Sequence, residues 1–190
     1  MPKLNNNIQD LIFNSEFKHW KGNIFLPAWK NYIVQDWVEE GYVQYTEKLE
    51  AISKGLFPVL IDDISIDEIS ALPLSVVTAC DSIIKNQNVM KEKILQAILG
   101  YYHEKIEEVA TDYNFCSSEI EEFLPKDIDT ADLKSMISLA QVHIHTITKN
   151  DVAYIGYEFE YIWEEEHGLG ILTLGNEIIE IGSANVDFEV

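Results

Sequence analysis

Basic residues are scarce in this chain of 190: thirteen Lys and Arg stand against thirty-three Asp and Glu, a formal charge of −20. Nucleic acid and anionic membrane surfaces would repel such a surface, so both are excluded as expected partners. There are only two cysteines. Cys80 and Cys116 cannot build a disulfide framework, and neither has a metal-type ligand close in sequence. Cys80 reads as a helix core residue. No uninterrupted apolar run approaches bilayer length, and Met1-Pro2-Lys3-Leu4-Asn5-Asn6-Asn7 lacks the apolar centre of a signal peptide. The expectation is a cytoplasmic protein. Five prolines leave no proline-rich linker, and no internal repeat or low-complexity tract is visible.

The familiar catalytic signatures are missing as well. No serine sits in Gly-x-Ser-x-Gly, no cysteine has a histidine nearby, and there is no P-loop, no Gly-x-Gly-x-x-Gly and no His-Glu-x-x-His. Gly168-Leu169-Gly170 is too short for a dinucleotide fingerprint. The run Asp62-Asp63-Ile64-Ser65-Ile66-Asp67 lacks the central glycine and ligand periodicity of an EF-hand loop, so its acids, with Glu68, read as residues of a helix start.

What is present is enough apolar material for a core: 47% hydrophobic residues, 11% aromatic. One domain over residues 1–190 is expected, loosely ordered over 1–15. The segment from Trp20 to Trp29 reads as a turn followed by a short strand, and Tyr32 to Val38 as a second strand with Trp37 packed inward. Glu47 to Lys54 suits a brief helix closed by Gly55, and Leu56 to Ile61 a buried strand. Residues 73–112 form the helical portion. Leu74, Val77, Cys80 and Ile84 recur at helical spacing until Asn86-Gln87-Asn88 interrupts, and a second helix carries the stripe Ile94, Ile98, Tyr102, Ile106 and Val109. His103, one turn before Glu107, reads as part of a solvated helix face. Thr130 to Met136 offers a last short helix.

Residues 141–182 read as a four-stranded antiparallel meander. From Val152 to Trp163 alternation puts Ala153, Ile155, Tyr157, Phe159, Tyr161 and Trp163 on one face and Gly156, Glu158 and Glu160 on the other. With Val142 to Ile147 this makes a hairpin, its turn centred on Lys149-Asn150, in which Val142 faces Tyr157 and Ile144 faces Ile155. That register sends His143 and His145 to the outer face, with Glu158 diagonal to His143. Gly175-Asn176 suits a two-residue turn between Ile171–Leu174 and Glu177–Ile181, with Leu172 opposite Ile179. The fold class is therefore α+β, an antiparallel sheet with two central helices packed on one face.

Two polar groupings carry the chemistry. His143 and His145 project to one side of a strand, and with Glu158 could hold a zinc or iron ion with open positions; the alternative is a pair of unliganded surface histidines with no metal or other cofactor. The corner Trp163-Glu164-Glu165-Glu166-His167-Gly168-Leu169-Gly170 sets a histidine among carboxylates, suited to base catalysis or cation binding, or to hydrogen bonding that merely fixes the corner.

That corner, followed by Glu180-Ile181-Gly182 and Ala184-Asn185-Val186-Asp187-Phe188, resembles the C-terminal signature of an uncharacterised bacterial domain family. The clear match covers roughly the last fifty residues, and Trp20, Gly22, Pro27, Trp29 and Tyr101-Tyr102 extend the pattern more weakly. The resemblance implies a fold shared with bacterial cytoplasmic proteins and no particular activity. By analogy with small acidic immunity proteins, the leading expectation is a non-enzymatic module that neutralises a basic protein partner; the rival is a metal-binding protein or metal-dependent hydrolase.

Overall fold

The computed structural model describes residues 8–34, 46–62, 72–112, 124–163, 168–188 and 190. Its centre is one seven-stranded sheet in sequential order: β1 (Ile8–Asn14), β2 (His19–Phe25), β3 (Leu56–Asp62), β4 (Ile137–Lys149), β5 (Val152–Tyr161), β6 (Leu169–Leu174) and β7 (Glu177–Ser183). All neighbours pair antiparallel except β3 and β4, which run parallel. A parallel pair needs a long crossover, supplied here by the segment containing helix α2 (Leu74–Asp112). Helix α1 (Thr46–Ser53) precedes β3, a single turn α3 (Leu133–Met136) leads into β4, and a 3-10 turn (Ala184–Asp187) follows β7.

The expected α+β class and C-terminal meander are present, within a larger sheet than expected. The two central helices are one. Asn86-Gln87-Asn88 does not interrupt α2, because Asn86 Nδ2 donates to Ser82 Oγ at 3.1 Å and Gln87 Nε2 to the Ile84 carbonyl at 3.0 Å. The Gln87 side-chain oxygen also accepts from the Ala28 amide at 3.0 Å, so the polar residues are satisfied within the helix and against a neighbour. At 1.5 Å rise per residue the helix runs about 58 Å. It buries Val76, Cys80, Ile83, Ile94, Ile98, Tyr102 and Ile106 against the inner sheet face, which supplies Ile24, Phe57, Val59, Ile61, Val142, Ile144, Tyr157 and Phe159. Trp29 closes one end, edge-on to Phe159 at 5.2 Å.

Several local expectations shift. Residues 8–14 are an edge strand rather than loose chain, while 1–7 lie outside the described residues. The strand near Trp20 precedes its turn, spanning His19–Phe25, and residues 32–34 are not a strand. Trp37 and Cys116 lie outside the described residues. The β4–β5 register is the expected one: Val142 opposes Tyr157, His143 opposes Gly156 and Ile144 opposes Ile155. The turn itself is Asn150-Asp151, one residue later than expected, with both residues at positive φ as a type I′ turn requires. A bulge compensates, as His145, Thr146 and Ile147 together face Tyr154. A second bulge, at Ile179, places Leu172 opposite Glu180 rather than Ile179.

Candidate functional site

Alternation along the strands fixes which side chains leave the inner face. Ile61, Val142 and Ile144 point into the core, so Leu60, Asp62, His143 and His145 project from the outer one. The parallel seam sets Leu60 beside His143 and Ile61 beside Ile144, which brings the end of β3 alongside the two histidines. On the other side of β3, Asp62 is registered with His19 of β2. The outcome is a polar cluster drawn from three strands.

Its geometry is tight. His143 Nε2 lies 2.6 Å and His145 Nδ1 3.7 Å from the same Asp62 oxygen, Oδ2. One ligand atom from each of the three residues falls within 4.8 Å of the others. The imidazole rings lie 4.2 Å apart, inclined by 34°. Both histidines are buried, 1% and 2% exposed, whereas the Asp62 side chain is 43% exposed and gives the cluster its access to solvent. Histidines on the outer face of a sheet were expected to meet water. They do not, because the chain folds back after β7 and lays the 3-10 turn across them.

Glycines make room for that return. A Cβ on Gly156, the residue opposite His143, would sit 2.3 Å from the Asp187 carbonyl oxygen, and one on Gly170 would sit 2.7 Å from the Ser183 oxygen and 2.9 Å from the Asp187 amide nitrogen. The turn therefore rests directly on bare backbone. Once seated, its Asp187 carbonyl accepts a hydrogen bond from His145 Nε2 at 2.7 Å, and Phe188 packs its ring 4.7 Å from that of His143.

These contacts fix protonation states. A carbonyl can only accept, so His145 carries its proton on Nε2 and turns the Nδ1 lone pair toward Asp62. Burial and the neighbouring His143 hold the His145 pKa below the ordinary histidine value, keeping the ring neutral. Burial raises the Asp62 pKa, but the hydrogen bond from His143 and the favourable electrostatic surroundings set by His143, His145 and His19 outweigh it, and the carboxyl ends below its ordinary value. Asp62 is thus an ionised acceptor. It meets a second acceptor, His145 Nδ1, across 3.7 Å.

More ionisable groups surround this pair. Asp187 is fully buried, and neither of its carboxylate oxygens has a hydrogen-bond partner among the described residues; the same holds for His143 Nδ1 and His19 Nε2. Burial pushes the Asp187 carboxyl up to about 8, with the Glu158 charge adding to the rise. Glu158 is half-buried and also raised, by burial first and Glu160 second. It lies diagonal to His143 as expected, opposite Gln141, but the carboxylate that joins the histidine pair within ligand distance is Asp62.

Of the expected corner, Trp163 is buried edge-on against Tyr102 at 4.9 Å, Gly168 takes φ +62°, and Gly170 underlies the 3-10 turn. Glu164, Glu165, Glu166 and His167 lie outside the described residues. Sequence reasoning missed Asp62, His19 and Asp187 as members of the outer-face cluster. No local pattern announces them, since Asp62 is 81 residues from His143 and Asp187 is 42 from His145. The one available signal was the set Gly156, Gly170 and Gly182 on a shared face, which marks close backbone approach.

Among the described residues, no helix is long and apolar enough to cross a membrane. No curated protein and no solved structure matches the chain. A family match covers residues 29–188, well over half the chain, and on that ground the protein belongs to the DUF6985 family, a domain of unknown function.

Proposed function

We propose that this protein binds a single divalent transition-metal ion through Asp62, His143 and His145. The observation that carries the reading is the convergence on Asp62 Oδ2 of His143 Nε2 at 2.6 Å and His145 Nδ1 at 3.7 Å, with one ligand atom from each residue within 4.8 Å of the others. A cation between them would take a lone pair from each of the three residues. In a tetrahedral site with bonds of about 2.1 Å, ligand atoms stand roughly 3.4 Å apart, so the present spacing is near what an ion needs. His143 Nε2 must open from 2.6 Å and give up its hydrogen bond to join. Two imidazoles and one carboxylate suit zinc or iron and leave coordination positions free. The half-exposed Asp62 opens that side to water, and an ion there would acidify a bound water, which makes metal-assisted hydrolysis the reaction class that fits.

After chelator treatment, calorimetric titration with Zn2+ is expected to give one ion per chain. His143→Ala and His145→Ala should each weaken binding by about 100-fold or more, and Asp62→Asn by at least about 10-fold. Asp62→Asn leaves the seated turn untouched, so its effect reads on the ion rather than on folding. Absence of stoichiometric binding by the wild-type chain, or binding indifferent to these changes, would overturn the assignment.

A second reading rests on charge. The surplus of acidic residues that yields −20 is met among the described lysines by five close ion pairs, including Lys48–Glu160 and Lys105–Glu108, and the acids far outnumber these pairs. A surface of that kind attracts a basic protein over long range, in a bacterial cytoplasm and in the manner of immunity proteins. Such a partner should co-purify from the native host at about 50 mM salt and dissociate as salt rises several-fold. Recovery of no basic protein at low salt would end this reading.

A further inference from the structure

The buried Asp187 carboxylate is not explained by holding the turn in place. The turn is held by its main chain, through the Asp187 carbonyl on His145 and through seating on Gly156 and Gly170. The side chain nonetheless buries two oxygens that have no hydrogen-bond partner among the described residues. Such an arrangement costs stability unless another state of the protein uses it.

His143 supplies the complement. Its Nε2 is bonded to Asp62, and its Nδ1 is buried with no partner among the described residues. When an ion takes the Nε2 lone pair, the ring's proton must reside on Nδ1. The proton on Nε2 is released to solvent as the ion binds, and the ring carries its N–H at Nδ1. A buried N–H then needs an acceptor, and Asp187, whose Cβ lies 2.7 Å from where a Cβ of Gly156 opposite His143 would be, carries oxygens with no partner among the described residues.

We propose that Asp187 is a positioning residue of the metal site, its carboxylate taking the Nδ1–H of His143, directly or through one water, once the ion occupies Nε2. Carboxylate or carbonyl partners on the far nitrogen of ligating histidines orient the ring and raise its basicity. His145 has its partner in the Asp187 carbonyl, and His143 gains one in the same residue's side chain. The inference rests on the metal-binding reading.

The experiment compares wild type, Asp187→Ala and Asp187→Asn, each stripped of metal and then titrated with Zn2+, with imidazole nitrogens followed by NMR. Wild-type His143 is expected to change from the Nε2–H to the Nδ1–H form on loading. Asp187→Ala should bind Zn2+ about 10- to 100-fold more weakly. Asp187→Asn, which keeps an acceptor oxygen without the charge, should fall between. In both variants the metal-free protein should melt no lower than wild type, a divergence from affinity that a purely structural role for Asp187 would not produce. If wild type binds no ion, the metal reading and this inference fall together. If wild type binds, and Asp187→Ala binds equally well with the same histidine tautomers, this inference alone is overturned.

Discussion

Replacing Gly156 with alanine should lower the stability of the protein by about 3 kcal/mol or more, a fall of roughly 6–12 °C in melting temperature for a chain of this size. The added methyl would sit 2.3 Å from the Asp187 carbonyl oxygen and 2.9 Å from its carbonyl carbon. These are backbone atoms that cannot rotate away. The turn must lift, and in lifting it withdraws the acceptor from His145 Nε2 and uncovers both histidine rings. Faster amide exchange over 184–188 should accompany the loss. Gly100, on the exposed side of α2 with nothing within 4 Å of where its Cβ would stand, is the control: its change to alanine should stabilise by about 0.5–1 kcal/mol through helix propensity. A Gly156→Ala protein that melts with wild type would refute the seated-turn account.

A steep pH dependence should reside in Asp187. Burial first, and the Glu158 charge second, raise its carboxyl from 3.8 to about 8. The folded chain thus holds a proton that the unfolded chain releases. Stability from this group is fully present below pH 4 and is lost as pH climbs toward 8, because the unfolded state binds fewer protons across that window. Asp187→Asn removes the titration. Relative to wild type, the metal-free variant should therefore gain about 2–4 kcal/mol between pH 5 and pH 8.5, as followed by urea denaturation at each pH. Parallel stability curves for the two proteins would rule out the buried carboxyl as the source.

The β4–β5 register was legible because two strands with alternating residues can pair in only one parity without setting apolar against polar. The turn was misplaced by one residue because Asn150 and Asp151 both tolerate positive φ, and the bulge at His145 to Ile147 absorbs the difference. The apparent helix break at Asn86-Gln87-Asn88 failed for a tertiary reason: Gln87 is bound to the Ala28 amide, 59 residues away, and propensity gave way to that contact. The face of His143 and His145 followed from period two, but their burial depended on a turn that returns over the sheet, and period two says nothing about what covers a face. Asp62 was invisible as a ligand because only the parallel pairing of β3 with β4 brings it near.

That parallel seam bears on how the molecule comes together in time. The pairings within β1 to β3 and within β4 to β7 join antiparallel strands with shorter connections, which close sooner, whereas β3 meets β4 only after the long α2 segment has been traversed. Asp62 and the two histidines sit on opposite sides of that slow junction. Neither half of the sheet can assemble the cluster alone, so a nascent chain lacks it until β4 has emerged and docked. An ion held between them would clamp the junction shut, and its signature would be slower unfolding with little change in the rate of folding.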